Sequence, residues 1–322
     1  MEVIKWLLEG DPWVVYHTRI DLLHEDRESP QVQKAHNEIM VHENILRLIA
    51  ELTSWPGEAL RNHKSSGSLL HKLTFLADLG FRSDDPQIAP ILQKIKSNAA
   101  EEGPFQIMVN IPKAFGGTGE DGLSWMLCDA SSTLYALAEM GEVDDKSVVS
   151  AANYLAGLVR ESGGWPCAAS SKLGRFRGPG RKGDPCPYAT LLMVKALIPF
   201  GERYSREIQL GVSTLLDLWE RRRTEKPYLF AMGSGFEKLK APLVWYDFLH
   251  VLEVLSRIED MHQVSAMEEM VKIVREKADP TGRYRPESIW MDWRGWEFGQ
   301  KKEPSRWLTF LIYRMMNRFG LD

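Results

Sequence analysis

Only three cysteines occur among 322 residues. An odd number this small excludes a disulfide framework and leaves reduced thiols, either buried as small hydrophobes or serving as ligands. Positive charge is not in excess: 40 basic against 44 acidic residues give a net charge of −4, so nothing draws the chain in bulk towards nucleic acid, and no polyanion partner is expected. No apolar stretch approaches the length of a membrane span, and the opening residues MEVIKWLLEGDPW combine acids with an apolar run too short for a signal peptide. The expectation is a cytoplasmic protein without a transmembrane segment. His17, His63 and His71 lack the i, i+4 spacing of a helical metal pair and read as polar cavity or packing residues.

What is present is a repeat. In GDPCPYATLLMVKALIPFG, at 183–201, Pro187 suits a first helical turn, the following residues form a broad apolar face, and Gly201 stops the helix. The same ending recurs as FLADLG from Phe75, ALAEMG from Ala136 and ALIPFG from Ala196, with an echo, VLSRIE, from Val254. The starts step by 61, 60 and 58 residues. A period near sixty suits a helical hairpin plus a loop. First helices are expected at 12–24, 69–79, 125–140, 187–201, 243–258 and from Ser305; second helices are expected at 31–53, from Pro86, 146–160, 204–222 and 264–277. The first helices are markedly apolar and the second helices carry charge on one side, which assigns them to the inside and the outside. Between a second helix and the next first helix lie EEGPFQ, ESGGWPC and DPTGRY, where a glycine makes the turn and an aromatic follows.

With this repeat, the GGW of Gly163–Trp165 and the closing EPSRWLT, the chain resembles the α/α toroid of protein prenyltransferase β-subunits and squalene or terpenoid cyclases. It also resembles uncharacterised bacterial proteins with prenyltransferase or squalene-cyclase repeats. The resemblance implies an all-α fold, one (α/α)6 toroid domain over residues 1–322, with six inner and six outer helices around a central cavity. The prenyltransferases hold zinc with an Asp-x-Cys before one inner helix and a Tyr-His before the next. The similar pattern here implies zinc on Asp184, Cys186 and Asp247, with His250 as a further ligand. Cys128 and Cys167 point to the same rim. The Asp-x-Asp-Asp of squalene cyclases and the Asp-Asp-x-x-Asp of ionising terpene synthases are absent.

Aligned on the helix ends, Asp129 and Asp247 stand at equivalent levels, as an acid and base, as ligands, or as helix caps. Trp13, Tyr16, Trp125, Tyr188, Trp245, Tyr246 and Trp307 fall in the first turns of first helices, where they either ring a ligand or wedge neighbouring helices. Arg181 and Lys182, in the glycine-rich basic stretch before Asp184, can fold over a phosphate or carboxylate. The expected function is that of a prenyltransferase- or cyclase-like protein holding a small hydrophobic, isoprenoid-like ligand, with or without a phosphate. The alternatives are a carbohydrate-active toroid using carboxylates from Asp129, Asp247, Glu287 and Asp292, and a non-catalytic lipid or peptide binder.

Overall fold

The computed structural model describes residues 2–176, 183–226, 230, 232–259 and 261–321. The described residues are predominantly helical, with one two-stranded antiparallel sheet. The chain divides into two compact units, Ile49–Gly233 and a second made of Met1–Leu48 with Ser234–Asp322.

In the continuous unit, α5 (Leu69–Asp78), α7 (Leu127–Leu137) and α9 (Pro187–Leu197) are first helices, and α7 packs on both of the others. Every residue of α7 and α9 is buried. The second helices α8 (Lys146–Ala156) and α10 (Ser205–Glu220) bury one face only and pack against α9, as expected for an apolar stripe on an otherwise polar helix. Helix α6 (Ala89–Lys96) begins three residues later than its sequence suggests. A short hairpin, β1 (Ile107–Val109) with β2 (Gly122–Ser124), occupies the stretch before α7 and has no counterpart in the repeat pattern.

In the discontinuous unit, α11 (Phe248–Leu255) packs against α12 (Ser265–Arg275), and α13 (Arg306–Arg318) packs against α11, α2 (Pro12–His17) and α1 (Glu2–Leu7). The last first helix therefore finds a partner in the N-terminal α1. The expected long second helix at 31–53 is broken into α3 (Pro30–Val41) and α4 (Glu43–Leu52). His42 is extended there, its ring meets Trp13 edge-on at 4.9 Å, and its Nδ1 accepts the Asn44 N–H at 3.2 Å. A side chain that caps the following turn stops the first helix without glycine or proline. Helix α2 is likewise shorter than expected and continues as a wide turn over Thr18–Leu22.

One loop geometry links the modules. Gly103, Gly163 and Gly282 all have φ near or above +80°, a region that favours glycine. Each donates its N–H to the carbonyl three residues before it, Ala100, Arg160 or Asp279, at 2.9 to 3.0 Å. Those three residues in turn donate to the carbonyls of Pro104, Gly164 and Arg283 at 2.8 to 3.0 Å. The aromatic that follows, Phe105, Trp165 or Tyr284, is buried. Two of these aromatics fasten the next helix start. Trp165 and Tyr284 accept the N–H of Cys186 and Ser305 at 2.7 and 2.8 Å, and their own N–H groups reach Thr190 and Thr309 Oγ1 at 3.0 Å.

Buried charge ties the first helices together within each unit. Lys195 Nζ of α9 lies 3.2 Å from Asp78 Oδ1 at the end of α5 and 4.0 Å above the Tyr135 ring of α7, whose hydroxyl donates to the same Asp78 oxygen at 2.6 Å. Lys195 is 3% exposed. Removing one member of a buried pair costs more than removing both, because the remaining charge stays desolvated. Asp78→Ala should therefore lower the unfolding free energy by about 3 to 5 kcal/mol, and Asp78→Ala with Lys195→Met should recover most of that loss. Urea unfolding of the two proteins checks this; equal losses in the single and double variants would contradict it.

Candidate functional site

Helix starts place the chemistry-bearing side chains. In the continuous unit, α7 is entered from extended Met126, with the Leu127 N–H held by the Ala168 carbonyl at 2.9 Å. This directs Cys128 and Asp129 inward on the first turn, both buried. The third residue comes from the polar loop before α5. That loop is closed by Asn62, which accepts from the Lys64 and Ser65 N–H groups at 2.9 Å each. His71, in the first turn of α5, fastens it through a 2.8 Å hydrogen bond from Nε2 to the His63 carbonyl. Burial lowers the His71 pKa to about 4, which keeps this ring neutral.

His63 Nδ1 stands 2.8 Å from Asp129 Oδ1, and its Nε2 stands 3.9 Å from Cys128 Sγ. One ligand atom from each of the three residues lies within 4.8 Å of the others, making this the metal-capable group of His, Cys and acid among the described residues. Burial alone would lower the His63 pKa, but the facing Asp129 carboxylate and Cys128 sulfur, with the hydrogen bonds they accept, carry it well above the usual histidine value. Asp129 is 1% exposed, and its Oδ2 has no hydrogen-bond partner among the described residues. All three cysteines are free. Burial, with the charges of Cys128, Cys186 and Asp129 added, pushes the Cys167 thiol up; burial and Cys128 push Cys186 up to about 12. Such thiols stay protonated and inert unless a cation offsets their surroundings.

The zinc ligands expected from the sequence are placed differently. Cys186 is the N-cap residue of α9, its backbone tied to Trp165, and the Asp184 carbonyl accepts from Arg160 Nη1 at 3.0 Å. Asp247 and His250 belong to the discontinuous unit. Asp247 is the N-cap of α11: its Oδ1 accepts the His250 N–H at 3.0 Å, while Oδ2 lies 3.5 Å from Lys240 Nζ. The His250 ring binds the Trp245 carbonyl through Nδ1 at 3.1 Å. Neither pair appears in the metal-capable group. Asp129 and Asp247 are also not at one helical level. Asp129 is the third residue of α7, whereas Asp247, like Cys186, is the N-cap residue of its own helix.

The aromatics divide between packing roles. Trp13 faces His42 at the end of α3 and Trp296, Tyr16 faces His36 of α3, and Trp125 donates to Glu102 at 2.7 Å and meets Tyr154 of α8 edge-on. These three pack towards second helices or the loops beside them. Tyr188 lies 6.5 Å from the His63 ring, Trp307 packs with His17 and Phe310, Tyr246 packs with Phe236, and Trp245 is half-buried. Glu287 is held by Lys277 and the Leu239 N–H as a loop tether, and Asp292 lies in a short turn at Met291–Trp293. Arg181 and Lys182 fall outside the described residues. The His63 loop also walls a cavity of about 730 Å³, lined by Trp55, Leu60, Arg61, Ser65, Lys72 and Met108 among others.

No family model matches this chain, and no curated protein matches it. A solved structure described as a protein from Actinoplanes aligns over 96% of this chain and 90% of its own, with 13% identity and a TM-score of 0.44, a likeness too low to carry any argument.

Burial raises the Asp247 pKa to about 6, opposed by Lys240 and the His250 N–H. The folded state therefore binds this proton more tightly than the unfolded chain. The stability it contributes is full below the ordinary carboxylate pKa and is lost as pH rises through about 6, an effect of about 3 kcal/mol for a two-unit shift. Asp247→Asn, which preserves a good N-cap, should flatten the decline in unfolding free energy across that window. An unchanged slope in urea unfolding series would assign the decline to other groups.

Proposed function

We propose that this is a zinc-dependent enzyme of the helical-repeat kind, an (α/α)6 toroid similar in plan to prenyltransferase subunits and terpenoid cyclases. The observation that carries the reading is the meeting of imidazole, thiol and carboxylate at His63, Cys128 and Asp129 around a buried oxygen with no partner among the described residues. One nitrogen, one sulfur and one oxygen form a donor set suited to zinc, and three protein ligands leave a position open for reaction. When bound there, the ion would supply Lewis acidity, activating a thiol or a water molecule.

The residues have separate tasks in this reading. Cys128 and Asp129 leave the same helical turn and supply negative donors, while His63 arrives on a loop whose carbonyl His71 fixes. The cavity beside that loop combines Leu60, Leu70, Ile107 and Met108 with Arg61 and Lys72. Such a lining suits a small hydrophobic, isoprenoid-like molecule with a polar end. Three free thiols suit a reducing compartment, the cytoplasm.

A second, metal-free reading follows from the two sides of the His63 ring. Asp129 on Nδ1 and Cys128 on Nε2 have the order of an orienting acid, a base and a thiol nucleophile. Metal analysis separates the two. Purified full-length protein should hold about one zinc per chain, and His63→Ala or Cys128→Ser should each lower its zinc affinity by about tenfold or more, while Cys186→Ser leaves it unchanged. Wild-type protein that neither contains zinc nor takes it up would overturn the zinc reading. Rapid alkylation of Cys128, lost on His63→Ala, would then support the nucleophile.

A further inference from the structure

A second site stands in the discontinuous unit, independent of the zinc reading. A cavity of about 460 Å³ is lined by Ile20, Asp21, His24, Arg314, Asn317 and Arg318. We propose that it binds the phosphate or carboxylate group of a small ligand, with the Nε and Nη2 edge of Arg318 as the docking fork and His24 beside it.

The anchoring of Arg318 is one-sided. Its Nη1 alone is used, donating to Glu253 Oε2 at 3.1 Å, to the Glu253 carbonyl at 3.4 Å and to Ser256 Oγ at 2.9 Å. The other edge, Nε with Nη2, has no hydrogen-bond partner among the described residues. Two parallel N–H donors on that edge match two oxygens of a carboxylate or phosphate. Pinning Nη1 on a buried carboxylate holds the fork in place, which reduces the side-chain entropy lost on binding.

The remaining lining residues fit this role. His24 is the non-glycine residue with positive φ, at 52°, among the described residues. Its exposed ring has no partner among them, so a strained backbone presents an unused donor at the cavity. Asp21 is the one acid in the lining and opposes an anion. It is occupied: its Oδ2 lies 3.1 Å from His17 Nδ1 and 3.6 Å from Arg314 Nη1. The simpler account, that these arginines only neutralise Glu253 and complement the C-terminal end of α13, covers Nη1 and the Arg314 contact to Glu253 at 2.9 Å. It leaves the second edge of Arg318 and the conformation of His24 without a reason. Burial and the charges of Arg314 and Arg257 also lower the Arg318 pKa despite Glu253, so an added anion would relieve repulsion there.

The test is calorimetric titration of the full chain at low salt with inorganic phosphate and, separately, with citrate. Saturable binding of either probe with Kd of about 1 mM or tighter, weakened about tenfold or more by Arg318→Lys, which keeps charge but loses the fork, supports the site. Phosphate binding alone indicates a phosphorylated ligand, and citrate binding alone a carboxylate. His24→Asn tolerates the left-handed backbone and should weaken binding severalfold without loss of helix content, so it decides the matter if Arg318→Lys misfolds. No saturable binding of either probe, or binding that His24→Asn and a folded Arg318→Lys leave unchanged, overturns the proposal.

Discussion

The interaction on which the rest depends is the backbone tie between each module loop and the helix start that follows. A left-handed glycine closes the loop, a buried aromatic leaves it, and in two modules that aromatic exchanges hydrogen bonds with both ends of the next helical turn. Helix N-termini carry unsatisfied N–H groups, and the direction of a first helix depends on how they are held. Once Trp165 fixes Cys186 and Thr190, the level of every side chain on α9 is set. Tyr284 does the same for α13 through Ser305 and Thr309. Cys186 thus occupies a position that serine fills in another module, and its place is explained by entry geometry alone.

Features that only one residue type can satisfy were readable from the chain. Positive φ at Gly80, Gly141 and Gly201 is written as glycine, so the helix stops and their spacing stood out. The break at His42 was hidden, because it arises from a ring packed against Trp13, 29 residues earlier in sequence, rather than from a local breaker. The levels of Asp129 and Asp247 were misjudged for a simple reason. Counting back from helix ends assumes equal lengths, but α7 has 11 residues and α11 only 8, so the same count lands inside the first and on the cap of the second. The site itself left the weakest trace. His63 belongs to a polar loop, its partners are adjacent residues more than sixty positions later, and no short motif records a meeting made by helix packing.

Buried charge follows one rule in both units. Glu253 sits in the apolar run of α11 yet is 1% exposed, with Arg257, Arg314 and Arg318 within 3.1 Å of its oxygens. Lys195 holds the corresponding role among α5, α7 and α9. Ion pairs of this sort add little to stability over an apolar core of the same shape, but a helix turned out of register would strand a charge. They select one arrangement among several that apolar packing alone would allow.

The division of the chain also orders events in time. Ile49–Gly233 is one continuous stretch with its core built from neighbouring modules, whereas the other unit needs α13, from the last residues of the chain, to pack against α1 and α2 at its beginning. As the ribosome releases the chain from its N-terminus, the middle can collapse while the first 48 residues still wait for partners that have not been made. The side of α2 that meets α13 stays open for that interval, although its other side already packs on α3. A nascent chain stalled before Arg306 would carry a finished middle and a sticky leading end, the kind of species that chaperones hold.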